Sequence, residues 1–338
     1  MRAAILGTGS WATAFGHHLA HRWNRVILWG VESAQVNAIN TTGRNPHFLD
    51  DLNLPPNLSA TLEIDHALER ADAVFVTVPS QAVREVCRRA AASPSLGSGV
   101  PFVSLAKGFE LGTLKRLSEV IGEELRTAGR GDDHPVAVLL GPSHAEEVAR
   151  EMPTAVVLAG SGGDWVRWQV PVSGPFFRVY TNDDLIGVEL GSAFKNVIAI
   201  AVGMGDGLGL GDNTRGALMT RGMAELARLG TALGGRAETF FGLAGIGDMI
   251  TTCISRHSRN RNFGEAVALS DEDPQVLLAR ASQVVEGAVM TQAGLKLGEK
   301  YGVELPITEQ VHDVLFSGKP PRQALRELMD REPKAELQ

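Results

Sequence analysis

Apolar and polar positions along the 338-residue chain fall into two regimes. Through the first half, short continuous apolar runs bounded by turn residues alternate with helix-like stretches, the pattern of strands buried on both faces of a parallel sheet. Ala3-Ala4-Ile5-Leu6 is the first run and Arg25-Val26-Ile27-Leu28-Trp29 the second. The segment between them, helical from near Trp11, completes a β-α-β unit of the usual ~30 residues. Further runs at Ala73 to Val78, Pro101 to Leu105 and Val136 to Leu140 each follow a helix-like stretch. Two later β-rich pieces, Thr154 to Leu158 and Phe177 to Tyr180, lack long helices between them and predict an antiparallel extension of the sheet. From Asp183 onward, long segments rich in Ala, Gly, Leu and Met replace the strands. Thr181, Asn182, Asp183 and Asp184 read as a helix start, which divides the chain into an α/β domain over 1–181 and a mostly α domain over 182–338. Loops are expected over 93–99 and 129–133, and the polar tail from 331 to 338 is expected to fray.

This length calls for two domains, since single cores stop growing near ~250–300 residues. With 39 acidic against 32 basic residues the net charge is −7, and without a Lys/Arg tract nucleic acid and acidic membrane surfaces are poor partners. Cys87 and Cys253 lack any companion spacing, so a disulfide framework or a Cys-based zinc site is not expected and a reducing cytoplasm suits the chain. The first strand begins at the N-terminus, leaving no room for a signal peptide, and no apolar run reaches the ~18 residues of a membrane span. A cytoplasmic protein without membrane insertion is the expectation.

Candidate chemistry starts where the first strand ends. Gly7-Thr8-Gly9-Ser10-Trp11-Ala12 is a Gly-x-Gly-x-x-Ala loop between strand and helix, the opening of a dinucleotide-binding fold. Gly7 allows the tight turn, Gly9 lets the backbone approach a pyrophosphate, and Ala12 lets the helix pack on its strand while its N-terminal N–H groups face the phosphates. Lys195 lies in an apolar helical segment and shares a face with Val188, Gly191, Ser192, Ala199 and Val202. Small neighbours leave room for a ligand beside the ammonium, and a half-buried lysine has a tunable pKa. Lys107 follows a predicted strand at the carboxyl edge, where doubly wound sheets bind ligands, and Gly141-Pro142-Ser143-His144-Ala145 occupies the same edge. Ser143 suits the cap of a helix starting near His144. Arg256-His257-Ser258-Arg259-Asn260-Arg261 groups donors fitted to a phosphate monoester, or forms a solvated basic loop. Asp248, just before it, could orient a lysine, accept a substrate hydroxyl or pair with one of these arginines. His257 reads as a surface residue.

On these residues the chain resembles the bacterial NAD(P)-dependent sn-glycerol-3-phosphate dehydrogenases over nearly its whole length. The likeness rests on the glycine loop, Asn45-Pro46-His47-Phe48-Leu49, Val78-Pro79-Ser80, Ala106-Lys107-Gly108, Gly141-Pro142-Ser143, Phe194-Lys195-Asn196-Val197, Gly211-Asp212-Asn213-Thr214, Gly245-Ile246-Gly247-Asp248, Ser258-Arg259-Asn260-Arg261, Val284-Val285-Glu286-Gly287 and Pro306-Ile307-Thr308. It implies a Rossmann-type, mostly parallel sheet followed by an all-α domain of the 6-phosphogluconate-dehydrogenase-like kind, and a homodimer. The implied activity interconverts sn-glycerol 3-phosphate and dihydroxyacetone phosphate with NAD or NADP, supplies glycerol 3-phosphate for phospholipid synthesis, and requires no metal. By the same resemblance Lys195 exchanges the proton at the C2 oxygen, Lys107 polarises that oxygen, and Asn196, Asp248 and Thr252 hold the lysine and substrate. Ser258, Arg259 and Asn260 grip the phosphate, and Gly141 and Ser143 complete the wall. Ser10, Trp11, Pro79, Lys107, Ala145, Arg259, Val284 and Glu286 match positions that contact the cofactor, beside Gly7, Gly9 and Ala12.

Two departures stand out. Where many members carry His or Arg after the second strand, this chain has Val31 followed by Glu32, about 20 residues past the glycine loop, where an acidic side chain binds the ribose hydroxyls of NAD. A weakened preference for NADP is expected, with Arg25 or Arg44 the alternative source of a cation for the 2′-phosphate. Asp50 stands where Pro is common, in a loop remote from the chemistry. Two competing readings are a β-hydroxyacid dehydrogenase, which would require carboxylate recognition, and an NAD(H) sensor without catalysis, which would have no need of Lys107, Lys195 and Asp248 together.

Overall fold

The computed structural model describes residues 1–336 apart from 132, 282, 283 and 334. Asp132, in the loop expected over 129–133, and Lys334, Leu337 and Gln338, in the tail expected to fray, lie outside the described residues.

Among the described residues ten strands form: β1 (Arg2–Leu6), β2 (Arg25–Trp29), β3 (Leu58–Thr61), β4 (Ala73–Val76), β5 (Phe102–Ser104), β6 (Phe109–Glu110), β7 (Lys115–Arg116), β8 (Val136–Leu140), β9 (Thr154–Ser161) and β10 (Phe177–Asn182). Eight of them make one sheet in the order β10-β9-β8-β5-β4-β1-β2-β3, while β6 and β7 pair as a separate hairpin. From β3 to β8 every pairing is parallel, the doubly wound arrangement. Side chains alternate across it: Ala3, Ile5, Val26 and Leu28 enter one core with Phe15, Phe75 and Trp168, while Ala4, Leu6, Ile27 and Trp29 enter the other with Leu68, Phe102 and Ile121. Helices α1 (Ser10–Ala20), α2 (Ser33–Thr42), α3 (Ile64–Leu68), α4 (Val83–Ala92), α5 (Leu117–Thr127), α6 (Ala145–Ala149) and α7 (Val166–Val172) cover the sheet.

The expected antiparallel extension is half right. β9 runs antiparallel to β8, but β10 returns through α7 and pairs parallel to β9, because seven helical residues suffice to carry the chain back across one strand. The weakly apolar β3, Leu58-Ser59-Ala60-Thr61, and the hairpin β6–β7 carried no strand signal in the pattern.

The second half contains α8 (Leu185–Gly207), α9 (Asp212–Ala232), α10 (Ala237–Phe240), α11 (Asp248–Ile254), α12 (Arg259–Leu269), α13 (Pro274–Arg280), α14 (Glu286–Tyr301), α15 (Pro306–Phe316) and α16 (Pro321–Met329). Asp184 caps α8 by accepting from the Gly187 N–H at 2.9 Å, so the helix starts at the predicted signal. α8 is the axis of this half, buried from Gly187 to Gly205 among the apolar side chains of its neighbours. Although no span was expected, its 23 residues are long and apolar enough to cross a membrane by composition; 83% of its apolar window lies inside the fold. Its crossing with α12 is made at backbone contact: a Cβ on Gly203 would lie 1.9 Å from the Arg261 carbonyl oxygen, and one on Gly264 would lie 2.1 Å from that of Ile200. The described part of the tail is tied down, Arg331 pairing with Glu304 at 3.1 Å and Arg221 donating to the Glu336 carbonyl at 3.1 Å.

Candidate active site

The carboxyl ends of β1, β4, β5 and β8 open on one edge of the sheet, and the candidate residues collect there because each follows its strand directly. After β1, Gly7 has φ +137°, and a Cβ would lie 2.4 Å from Thr77 Oγ1, so only glycine fits. Gly9 is the N-cap of α1 and has open space where its side chain would be. Ser10 and Trp11 form the first turn, and Ala12 is buried against the sheet. An open glycine backbone at a helix N-terminus is a cradle that suits a pyrophosphate. Pro79 precedes the short turn Ser80–Ala82 after β4. Val31 and Glu32 follow β2, on the far side of β1 from the lysines, and both are exposed, with Glu32 at the N-cap position of α2. This placement separates a candidate adenosine-ribose end, at β2, from a candidate reacting end, at β5 and β8.

At that reacting end the two lysines meet on one carboxylate. Lys107, after β5, donates to Asp248 Oδ2 at 2.8 Å and to the Gly141 carbonyl at 3.0 Å. Lys195, in the middle of α8, is ion-paired with Asp248 Oδ1 and donates to Thr252 Oγ1 at 2.6 Å. Ser192, one turn earlier on α8, donates to Asp248 Oδ2 at 3.0 Å. Asp248 is 1% exposed and Lys195 5%, so the pair is held away from water. Burial pushes the Lys195 ammonium down to about 7, with the Asp248 charge opposing that fall and the Lys107 charge adding to it. For Asp248 burial acts upward, but the two ammonium groups together outweigh it and hold the carboxyl below its usual range. A carboxylate between two lysines leaves one net positive charge, with a lysine able to exchange a proton near neutrality. Asp248 therefore chose the lysines over the arginines that follow it.

Around this centre the remaining candidates take mixed positions. Asn196 is buried beside Lys195. Gly141, with φ +145°, ends β8 and abuts Val156, and Ala145 starts α6. Ser143 does not cap α6: its hydroxyl donates to the Gly141 carbonyl at 3.1 Å, and His144 occupies the N-cap position without a side-chain bond. Ser258 caps α12, accepting from the Arg261 N–H at 3.3 Å, and Asn260 Oδ1 accepts from the Gly287 N–H at 2.8 Å. Arg259 donates to the Val284 carbonyl at 3.4 Å. Arg261 turns away from the loop to Asp206 at 2.6 Å and Glu265 at 3.2 Å, while Arg256 and His257 are exposed. The six-residue cluster thus splits: Ser258, Arg259 and Asn260 bond to backbone groups of α12, of Val284 and of Gly287, whereas Arg261 forms ion pairs with Asp206 and Glu265. Glu286 crosses between the halves of the chain, its carboxylate accepting from Ser80 N–H at 3.2 Å and Ser80 Oγ at 2.7 Å, and burial raises its pKa.

The sequence named Ser192 and His144 only as a neighbour of Lys195 on its helix face and as the start of a helix, without a role at the site. Burial, then the Lys195 and Lys107 charges, lower the His144 pKa against a backbone hydrogen bond with Thr251. Ser192 was placed on the Lys195 face by helical periodicity; nothing in the sequence marked it as an Asp248 ligand.

Comparison with known proteins places the chain among relatives along its whole length. Residues 2–164 match the family profile described as NAD-dependent glycerol-3-phosphate dehydrogenase N-terminus, and residues 184–326 match that of the C-terminus. A protein of Pelotomaculum thermopropionicum named glycerol-3-phosphate dehydrogenase [NAD(P)+] is 46% identical over 98% of this chain and 93% of its own. One of the same name from Moorella thermoacetica is 48% identical over 97% of this chain and 95% of its own. Among solved structures, glycerol-3-phosphate dehydrogenase from Coxiella burnetii superposes with a TM-score of 0.90 at 40% identity, covering 98% of this chain and 99% of that one.

Proposed function

The chain belongs to the NAD-dependent glycerol-3-phosphate dehydrogenase family, and from that premise we infer how its own residues carry the reaction. It interconverts sn-glycerol 3-phosphate and dihydroxyacetone phosphate, using NAD or NADP. The observation that carries the assignment of roles is the Asp248 carboxylate set between Lys107 and Lys195. Bound nicotinamide supplies a hydride to C2 in the reduction and takes it back in the oxidation. In reduction Lys195 gives its proton to the C2 oxygen as the C=O π bond opens; in oxidation it removes the proton from the hydroxyl as the carbonyl forms. Negative charge grows on that oxygen in the transition state, and two fixed ammonium groups stabilise it more than they stabilise the neutral ketone. Lys107 holds the oxygen polarised, while Asp248 and Thr252 fix Lys195 in place. Asn196 and the wall of Gly141 and Ser143 confine the carbon chain, and Ser258, Arg259 and Asn260 bind the phosphate. Gly7, Gly9, Ser10, Trp11 and Ala12 form the pyrophosphate cradle; Pro79, Ala145, Val284 and Glu286 complete the cofactor wall.

Glu32, aimed from the end of β2, favours the free ribose hydroxyls of NAD and repels a 2′-phosphate, and Val31 offers that phosphate no cation. The same reading assigns 1–181 to cofactor binding and 182–338 to substrate and catalysis, a homodimer as the working unit, the cytoplasm as its place, and the supply of glycerol 3-phosphate to phospholipid synthesis as its use. Nicotinamide absorbance with dihydroxyacetone phosphate tests it. Turnover is expected with this ketone and not with 2-keto or hydroxy acids, at a kcat/KM higher for NADH than for NADPH. Turnover of a hydroxy acid alone would overturn the substrate assignment, and equal efficiency with both cofactors would overturn the role of Val31 and Glu32.

A further inference from the structure

The motif Asn45-Pro46-His47-Phe48-Leu49 has no place in the reaction described above, yet its first residue is wholly buried, at 0% exposure. Asn45 stands two residues beyond Gly43, whose φ of +64° closes α2 and turns the chain back toward the glycine loop. There Asn45 meets Gln35 of α2, itself buried, and the two amides make a closed network around Thr8. Thr8 Oγ1 donates to Gln35 Oε1 at 2.6 Å. Gln35 Nε2 donates to the Thr8 carbonyl at 3.1 Å and to Asn45 Oδ1 at 3.0 Å. Asn45 Nδ2 donates to the same Thr8 carbonyl at 2.9 Å and to Thr13 Oγ1 at 2.8 Å, and Thr13 Oγ1 passes its own proton to the Gly9 carbonyl at 2.9 Å. Both amides therefore use both donors and one acceptor lone pair, and both lone pairs of the Thr8 carbonyl are taken. Gly30 makes room for this, since a Cβ there would lie 2.6 Å from the Thr8 methyl.

A trans peptide is planar, with its carbonyl and the following N–H pointing in opposite directions, and no cis bond occurs among the described residues. Two amide donors pulling the Thr8 carbonyl inward consequently aim the Gly9 N–H outward, to the open side of the loop. The bonds from Thr13 to the Gly9 carbonyl do the same for the Ser10 N–H. We propose that the Gln35–Asn45 amide pair is the positioning device for pyrophosphate binding: it sets the direction of the Gly9 and Ser10 N–H donors without touching the cofactor. The inference rests on the dinucleotide reading of the glycine loop and is independent of which substrate is reduced. It explains why an asparagine is needed at 45 rather than an apolar residue of similar size, because the carbonyl in front of it requires a donor.

Asn45→Asp tests this at constant volume, replacing a donor with an acceptor that repels the Thr8 carbonyl, and Gln35→Glu does the same from the other side. Binding is read directly, with NADH fluorescence and with displacement by ADP-ribose and by adenosine, in protein whose thermal unfolding verifies the fold. The NADH and ADP-ribose dissociation constants are expected to rise roughly tenfold or more, with adenosine changed by less than about twofold. At saturating NADH, the KM for dihydroxyacetone phosphate is expected to stay within about twofold, which a general loosening of the fold would not permit. NADH affinity unchanged in either folded variant would overturn the proposal, as would an equal loss for adenosine. Should Asn45→Asp fail to fold, Gln35→Glu decides alone. Wild-type protein that binds no NADH at all would instead remove the dinucleotide reading itself.

Discussion

Lys195 sits in a helix closed to solvent, with an ammonium that burial has brought down to about 7 and a carboxylate that keeps it from falling further. In the proposed mechanism, reduction of the ketone needs that lysine protonated and oxidation of the alcohol needs it neutral. Turnover in the reducing direction should therefore fall as pH rises through about 7, and in the oxidising direction should rise over the same interval. Asp248→Asn removes the anion that holds the proton on, so both limbs should move to lower pH and kcat should drop by roughly two orders of magnitude or more. Parallel pH–rate profiles of wild type and variant check this, and limbs that stay in place would show that another group titrates. At this scale the sequence was legible wherever local context was decisive: a lysine among Gly, Ser and Ala on an apolar helix, another just past a strand end. The partner of Asp248 was not legible, because two lysines and three arginines competed for it and only the three-dimensional arrangement brings Lys107 and Lys195 to it.

At the scale of elements, α12 matters because its first residues, Arg259 and Asn260, with the capping Ser258, stand at the expected phosphate end of the site. Gly203 and Gly264 let α12 press its backbone onto α8, the helix that carries Lys195, so the two functional groups are set at a fixed spacing by absent side chains. Gly203→Ala would place a methyl group 1.9 Å from the Arg261 carbonyl, and α12 has to shift. The expected result is a loss of about 1–3 kcal/mol in stability together with a several-fold higher KM for dihydroxyacetone phosphate and an unchanged NADH dissociation constant. Denaturant unfolding and steady-state kinetics on the same preparation separate these effects; a stability loss with substrate KM unmoved would detach the crossing from phosphate binding. Composition marked this half as helical and rich in glycine, but which glycines face which helix depends on a long-range crossing. β3 and the hairpin β6–β7 were illegible for a different reason, as their few apolar residues lean on partners far away in sequence.

Across the whole molecule the parallel sheet and the helical half were readable from the change in periodicity near residue 182, since a sheet buried on both faces and a helix packed on all sides leave different patterns. The contacts that join the two halves were not. Glu189 of α8 accepts from Ser118 N–H at 3.0 Å, Ser118 Oγ at 2.5 Å and Arg116 at 2.8 Å, fastening the start of α5 to the helical half. Glu286 does likewise at Ser80, and Asp248 at Lys107. All three ties are acidic residues from the second half meeting donors near the edges of the first, and one of them is the proposed catalytic centre. The role of Lys195 as proton donor is tested most directly by the rate of dihydroxyacetone phosphate reduction by Lys195→Met, measured at saturating NADH in protein shown to be folded and to bind NADH as wild type does. A fall in kcat of roughly a hundredfold to ten-thousandfold is expected. A variant that keeps kcat within about tenfold of wild type would contradict it, since a proton donor contributes more than that, and the proton would then have to come from elsewhere in the site.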